Sequence, residues 1–147
     1  MASDFPPWSL TIPSDLRLIA LARHFVESFC HFAGFDRQST EAVVLATHEA
    51  INNVIRHAHR GEVSARLQIE CQTVPEGLEI QLLDEGEPFD VSTVPHLNPG
   101  ELRIGGRGVF LMRTLMDELS CEPRGERGNA LRMVKRCQRN AAARAEY

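Results

Sequence analysis

From residue 63 to residue 83 the apolar side chains fall on alternate positions, the period of a pleated strand. Val63, Ala65, Leu67, Ile69 and Cys71 share one face, and after Val74-Pro75-Glu76-Gly77 the pattern resumes in Leu78-Glu79-Ile80-Gln81-Leu82-Leu83. Two such runs joined by a turn bearing Pro and Gly predict a β-hairpin. Upstream the period changes. Leu18, Leu21, Phe25, Val26 and Phe29 recur at three and four residues, a stripe that continues to about Phe32 and stops at Gly34. A chain that switches from a helical period to a strand period has to bury its helix stripes against one face of a sheet, so an α+β architecture is expected.

The remaining elements follow from the same signals. Trp8-Ser9-Leu10-Thr11-Ile12 alternates and ends at Pro13, which predicts a short edge strand, with Ser14 as the cap of the first helix. A second helix is expected from about Ser39 to His57, with Val43, Val44, Ala46, Ala50, Ile51, Val54 and Ile55 inward and Gly61 closing it. Residues 84–108 are rich in Gly, Pro and acids, and a loop that long inside a compact domain is usually functional. A third helix is expected over Val109 to Met116. A closing strand pair, residues 119–121 and 131–135, then flanks a turn from Pro123 to Gly128. The expected fold is a two-layer sandwich, a mostly antiparallel sheet with helices on one face. Residues 1–137 form one domain, and 138–147 a basic tail rich in Ala and Arg.

Charge narrows the function classes. Fifteen Arg and the single Lys135 stand against 20 acids, a net charge of -4. That balance speaks against direct nucleic-acid binding through bulk electrostatics, although the end of the chain from Arg132 carries five cations against one acid. Such a run is read first as a solvated tail. Four scattered cysteines without a C-x-x-C pair support neither a disulfide framework nor a structural zinc site. No stretch has the roughly 18 apolar residues of a membrane-spanning helix, and the N-terminus lacks the pattern of a secretion signal, so no membrane and a cytoplasmic location are expected.

Three constellations stand out. Glu49, Asn53 and His57 are spaced i, i+4 and i+8, so a helix brings them to one face. Alone, three polar residues would read as a solvent-facing stripe. Asp84-Glu85-Gly86 leaves a strand directly into a glycine turn, at the lip of a cleft under the long loop. Gly105-Gly106-Arg107-Gly108 opens the third helix, where free backbone N–H groups and the positive helix end favour phosphate. Each glycine cluster alone would more often be an ordinary turn. A metal reading of His57 and His59 with His48 lacks a fourth ligand, and no G-x-S-x-G elbow supports a hydrolase.

Taken in this order, the three resemble the ATP-binding fold shared by gyrase-type topoisomerases, ninety-kilodalton heat-shock chaperones and histidine kinases, known as the Bergerat fold. Glu49-Ala-Ile-Asn-Asn-Val-Ile-Arg-His57 looks like its N box, Asp84-Glu-Gly86 its first glycine box and Gly106-Arg-Gly108 its second. More narrowly, these segments, with Pro88-Phe-Asp90, Val109-Phe-Leu-Met112 and Leu115-Met-Asp-Glu118, are similar to the anti-sigma factor serine-protein kinases of the RsbW and SpoIIAB type.

The resemblance implies a set of roles. Asn53 would offer an amide oxygen to Mg²⁺, a hard cation that prefers oxygen ligands. Asp84 would accept the adenine amino hydrogen, and Gly86 would let the backbone approach the base. Gly106, Arg107, Gly108 and Val109 would hold the phosphates of ATP, and Glu49 would be the catalytic base toward a serine hydroxyl. His57 is the least specific of these positions. The implied activity is an ATP- and Mg²⁺-dependent protein-serine kinase that sequesters a sigma factor and phosphorylates an anti-sigma factor antagonist of the STAS type, working as a homodimer. A non-catalytic module that holds ATP and acts by protein binding alone is the alternative. This chain departs from the pattern at Gly128-Asn129, where the fold carries Gly-Thr, and at Ile104, which occupies the lid arginine's position between Arg103 and Arg107.

Overall fold

The structure is a computed structural model, and it describes residues 5–86 and 107–137. The strands are β1 (Trp8–Pro13), β2 (Arg66–Val74), β3 (Gly77–Asp84), β4 (Glu118–Pro123) and β5 (Asn129–Arg136). The helices are α1 (Ile19–Ala33), α2 (Arg37–Asn53) and α3 (Arg107–Leu115), with a 3-10 turn at Leu16–Leu18 and a π turn at Val54–Ala58. The strands form one sheet in the order β1-β2-β3-β5-β4, every neighbouring pair antiparallel. This is the expected α+β architecture.

Alternation along the strands separates the two faces. Leu67, Ile69 and Cys71 of β2, Leu78, Ile80 and Leu82 of β3, and Leu131 and Met133 of β5 join the helix residues Val26, Phe29, Val43, Ala50, Ile51, Val109 and Met112 in one buried cluster. The opposite face is polar, and Glu79 on it is clamped by Arg132 Nε at 2.8 Å and by the side-chain amides of Gln72 and Gln81 at 3.1 and 2.7 Å. At one edge, Trp8 of β1 packs its ring 5.5 Å from Phe29 and 5.1 Å from Phe32, which ties the edge strand to α1.

The caps explain where the helices begin and end. Gly34 ends α1 as expected, in a left-handed conformation (φ 84°) with its N–H on Cys30 and His31 carbonyls. Two starts differ from expectation. α2 begins at Arg37 rather than near Ser39, capped by Asp36, which accepts the Ser39 N–H at 2.7 Å. Ser14 caps nothing: Asp15 takes that place by accepting the Arg17 N–H, and Ser14 points inward, 1% exposed. Nor does the hairpin begin at Val63, which is 62% exposed; β2 starts at Arg66, because Arg60 (φ 50°) and Gly61 (φ 77°) turn the chain through left-handed conformations first.

Candidate functional site

The site is built where α2 faces α3 and where β3 ends. Glu49 and Asn53 lie one turn apart on α2, both half-buried. Gly108, in the first turn of α3, stands directly over them. A Cβ at position 108 would lie 3.1 and 3.2 Å from the two ends of the Asn53 amide and 3.4 Å from Glu49 Oε2. The carboxylate, the amide and the second glycine cluster, up to 59 residues apart in sequence by their numbering, are therefore neighbours in space. Val109 differs from its two neighbours, since its side chain is buried in the core and only its backbone is placed to meet a ligand. The Arg107 side chain and residues 87–106 of the expected long loop, Gly106 among them, lie outside the described residues.

His57 does not join this group. The α-helix ends at Asn53, and the π turn that follows takes an extra residue per turn, closing with His59 N–H on the Val54 carbonyl at 2.8 Å. The i+8 position is thereby rotated off the face, and the His57 side chain is exposed.

Asp84, the last residue of β3, is 2% exposed. Its Oδ1 accepts the Gly86 N–H at 2.8 Å and the Asn129 side-chain N–H at 3.1 Å. Among the described residues no group donates to Oδ2. Asn129 sits opposite Asp84 in the β3–β5 register, so the residue that departs from the family pattern is the one that holds this carboxylate. The turn after Asp84 is fixed by its backbone as well. Gly86 accepts the Gly128 N–H at 2.7 Å on its carbonyl, and a Cβ on Gly86 would collide with the backbone of Ala58. Glycine is required there by the close approach of the π turn.

Beside this turn opens a cleft of about 640 Å³ whose walls include Asp84, Gly86, Ala58 and His59. Its rim carries both signs of charge, Arg60, Arg124 and Arg127 with Glu62 and Glu85, and Arg124 donates to the Asp84 carbonyl at 3.1 Å. Sequence reasoning missed two of these participants: His59 as a structural partner, and Arg124. Each acts across a long stretch of chain, and nothing in its local pattern marks it.

An amide oxygen and a carboxylate side by side, with a helix start above them, form an oxygen-donor set suited to a hard cation shared with phosphates. Among the described residues no three His, Cys, Asp or Glu side chains gather as a metal cluster, and no helix is long and apolar enough to cross a membrane.

Residues 12–135 match the family model described as a histidine kinase-like ATPase domain. A serine-protein kinase RsbW of Listeria innocua is 32% identical over 81% of this chain and 81% of its own. Two solved structures share the fold. One contains the RsbU and RsbW domains of a Mycobacterium tuberculosis protein (TM-score 0.67, 17% identity, 93% of this chain and 34% of that one). The other is the SiaB–SiaC complex of Pseudomonas aeruginosa (TM-score 0.66, 14% identity, 86% of this chain and 87% of that one).

Proposed function

The chain belongs to the histidine kinase-like ATPase family and, within it, to the serine-protein kinases of the RsbW kind, and from that premise we propose that it is an ATP- and Mg²⁺-dependent partner-switching kinase. It phosphorylates an anti-sigma factor antagonist of the STAS type on serine and sequesters a sigma factor, as a homodimer. The observation that carries this reading is Gly108 lying against both Asn53 and Glu49, because it brings a phosphate-binding helix start to a metal ligand and a base.

In this reading Asp84 Oδ2, the oxygen that no described group engages, accepts the exocyclic N–H of adenine. Asn129 and the Gly86 N–H hold Oδ1 and so orient the carboxylate. The α3 start receives the phosphates, and Asn53 supplies its amide oxygen to Mg²⁺, which offsets phosphate charge when bound. Glu49 takes the proton of the incoming serine hydroxyl as its oxygen forms a bond to the γ-phosphorus and the bond to the β-phosphate oxygen breaks. The products are phosphoserine and ADP.

Glu49→Gln keeps the shape and polarity of the side chain but not its basicity. A general base contributes typically about 10²–10⁴-fold, so phosphotransfer to the antagonist is expected to slow by at least about a hundredfold while ATP affinity is retained. Phosphotransfer from labelled ATP, read alongside calorimetric ATP binding, checks both. Wild-type rate in the variant removes Glu49 from catalysis. ATP binding without any phosphotransfer in the wild type would make the protein a binding module that acts by occupancy alone.

A further inference from the structure

His59 is 5% exposed and sits at the end of the π turn, where three separate pieces of chain meet. Its Nδ1 lies 2.8 Å from Ser14 Oγ, and its Nε2 accepts the backbone N–H of Glu85 at 3.2 Å. A backbone N–H only donates, so Nε2 has to be the unprotonated nitrogen and Nδ1 carries the hydrogen, which it donates to Ser14. The Glu85 N–H thus fixes the tautomer, and the other ring nitrogen meets a buried hydroxyl just past the end of β1. Ser14 is itself anchored, its N–H donating to the Ala65 carbonyl at 2.8 Å.

The peptide that His59 grips belongs to the turn between Asp84 and Gly86. The residue before His59 touches that same turn, since Gly86 packs on the backbone of Ala58. Residues 58 and 59 therefore hold residues 85 and 86 by one hydrogen bond and one close backbone contact. Asp84 Oδ1 accepts from the Gly86 N–H within this turn, so the direction of the carboxylate depends on where the turn lies.

We propose that His59 is a positioning residue for the nucleotide base: through Glu85 its Nε2 sets the Asp84–Gly86 turn and thereby aims the Asp84 carboxylate, with Ser14 holding Nδ1 on the other side of the ring. The proposal rests on the reading of Asp84 as the group that recognises adenine. A histidine that merely filled the core would stabilise the fold without favouring one base over another. A positioning histidine acts on base recognition and leaves binding of the phosphates alone.

The test uses the full chain and two substitutions. His59→Phe keeps a ring but removes the acceptor, whereas His59→Gln keeps an oxygen able to accept the Glu85 N–H. In His59→Phe, ATP binding by calorimetry is expected to weaken by about tenfold, the loss that accompanies an unmade buried hydrogen bond, and preference for ATP over GTP to shrink. Inorganic triphosphate with Mg²⁺ should bind as to the wild type, and His59→Gln should recover most of the ATP affinity and the preference. Unchanged ATP affinity in His59→Phe, or equal losses for ATP and triphosphate, overturns the proposal. The ¹⁵N shifts of the wild-type imidazole provide a reading that needs neither variant nor nucleotide: protonated Nδ1 with bare Nε2 is expected, and a protonated Nε2 overturns the proposal. A wild type with the expected tautomer that binds no ATP would instead overturn the kinase reading, so the two failures are distinguishable.

Discussion

At Gly108 the requirements of a helix and of a binding site pull in opposite directions. Alanine is the better helix former by up to about 1 kcal/mol, so Gly108→Ala should leave thermal stability unchanged or slightly raised. Its methyl group, however, would come within 3.4 Å of Asn53 and Glu49 at three atoms, and those side-chain ends would have to move. A shift of a few tenths of an ångström relieves these contacts at little cost to the fold, and the partners that shift are the groups assigned to metal and proton transfer. The variant is therefore expected to melt like the wild type yet bind ATP·Mg about tenfold more weakly. Full affinity in a well-folded Gly108→Ala would mean that Asn53 does not need its present place. Asn129 makes a related point. Its amide donates to the Asp84 carboxylate, so the residue that departs from the family pattern supports the group assigned to the base.

Among the elements, α3 depends most on its neighbours. It has nine residues, below the length at which an isolated helix holds together in water. It is kept in place by packing on α2 through Val109 and Met112, and by Lys135 of β5, whose Nζ donates to the Leu115 carbonyl at the helix C-terminus at 2.8 Å. A cation at that end also meets the negative pole of the helix. Lys135→Met retains the aliphatic stem and removes both effects, with an expected loss of about 1 kcal/mol in denaturant unfolding. The second consequence should appear at the other end of α3, as faster amide exchange at Gly108 and Val109. Exchange confined to the last turn would show that the two ends of the helix are held independently.

For the molecule as a whole, helix layer and sheet meet at a boundary filled by one buried cluster. Cys30 of α1 and Cys71 of β2 both lie in the core cluster at that boundary. Burial pushes the Cys30 thiol up to about 12 and moves Cys71 in the same direction, so neither presents a thiolate near neutral pH. Cys121 and Cys137 are only half-buried. Alkylation of the native protein followed by mass spectrometry should modify Cys121 and Cys137 first, with Cys30 and Cys71 reacting only as fast as the protein unfolds globally. Labelling of Cys30 or Cys71 at a rate insensitive to mild denaturant would reveal that the two layers part locally.

The sequence by itself determined the elements and the pairing of Glu49 with Asn53 on one helix face, because both are written in short-range pattern. Period and punctuation placed the hairpin and the three helices to within a few residues, and one turn of helix was enough to join Glu49 to Asn53. What only the tertiary structure decided are contacts between distant segments. Ser14 reads locally as a helix cap, yet its hydroxyl meets His59, 45 residues on. Asn129 reads as a departure, yet it supports Asp84 across the same separation. Gly86 is legible as a glycine turn, but the backbone that forbids a side chain there belongs to Ala58. His57 and His59 exchange importance for the same reason. A π turn of five residues rotates one out to solvent and the other into the core, and neither its presence nor its partners has a local signature.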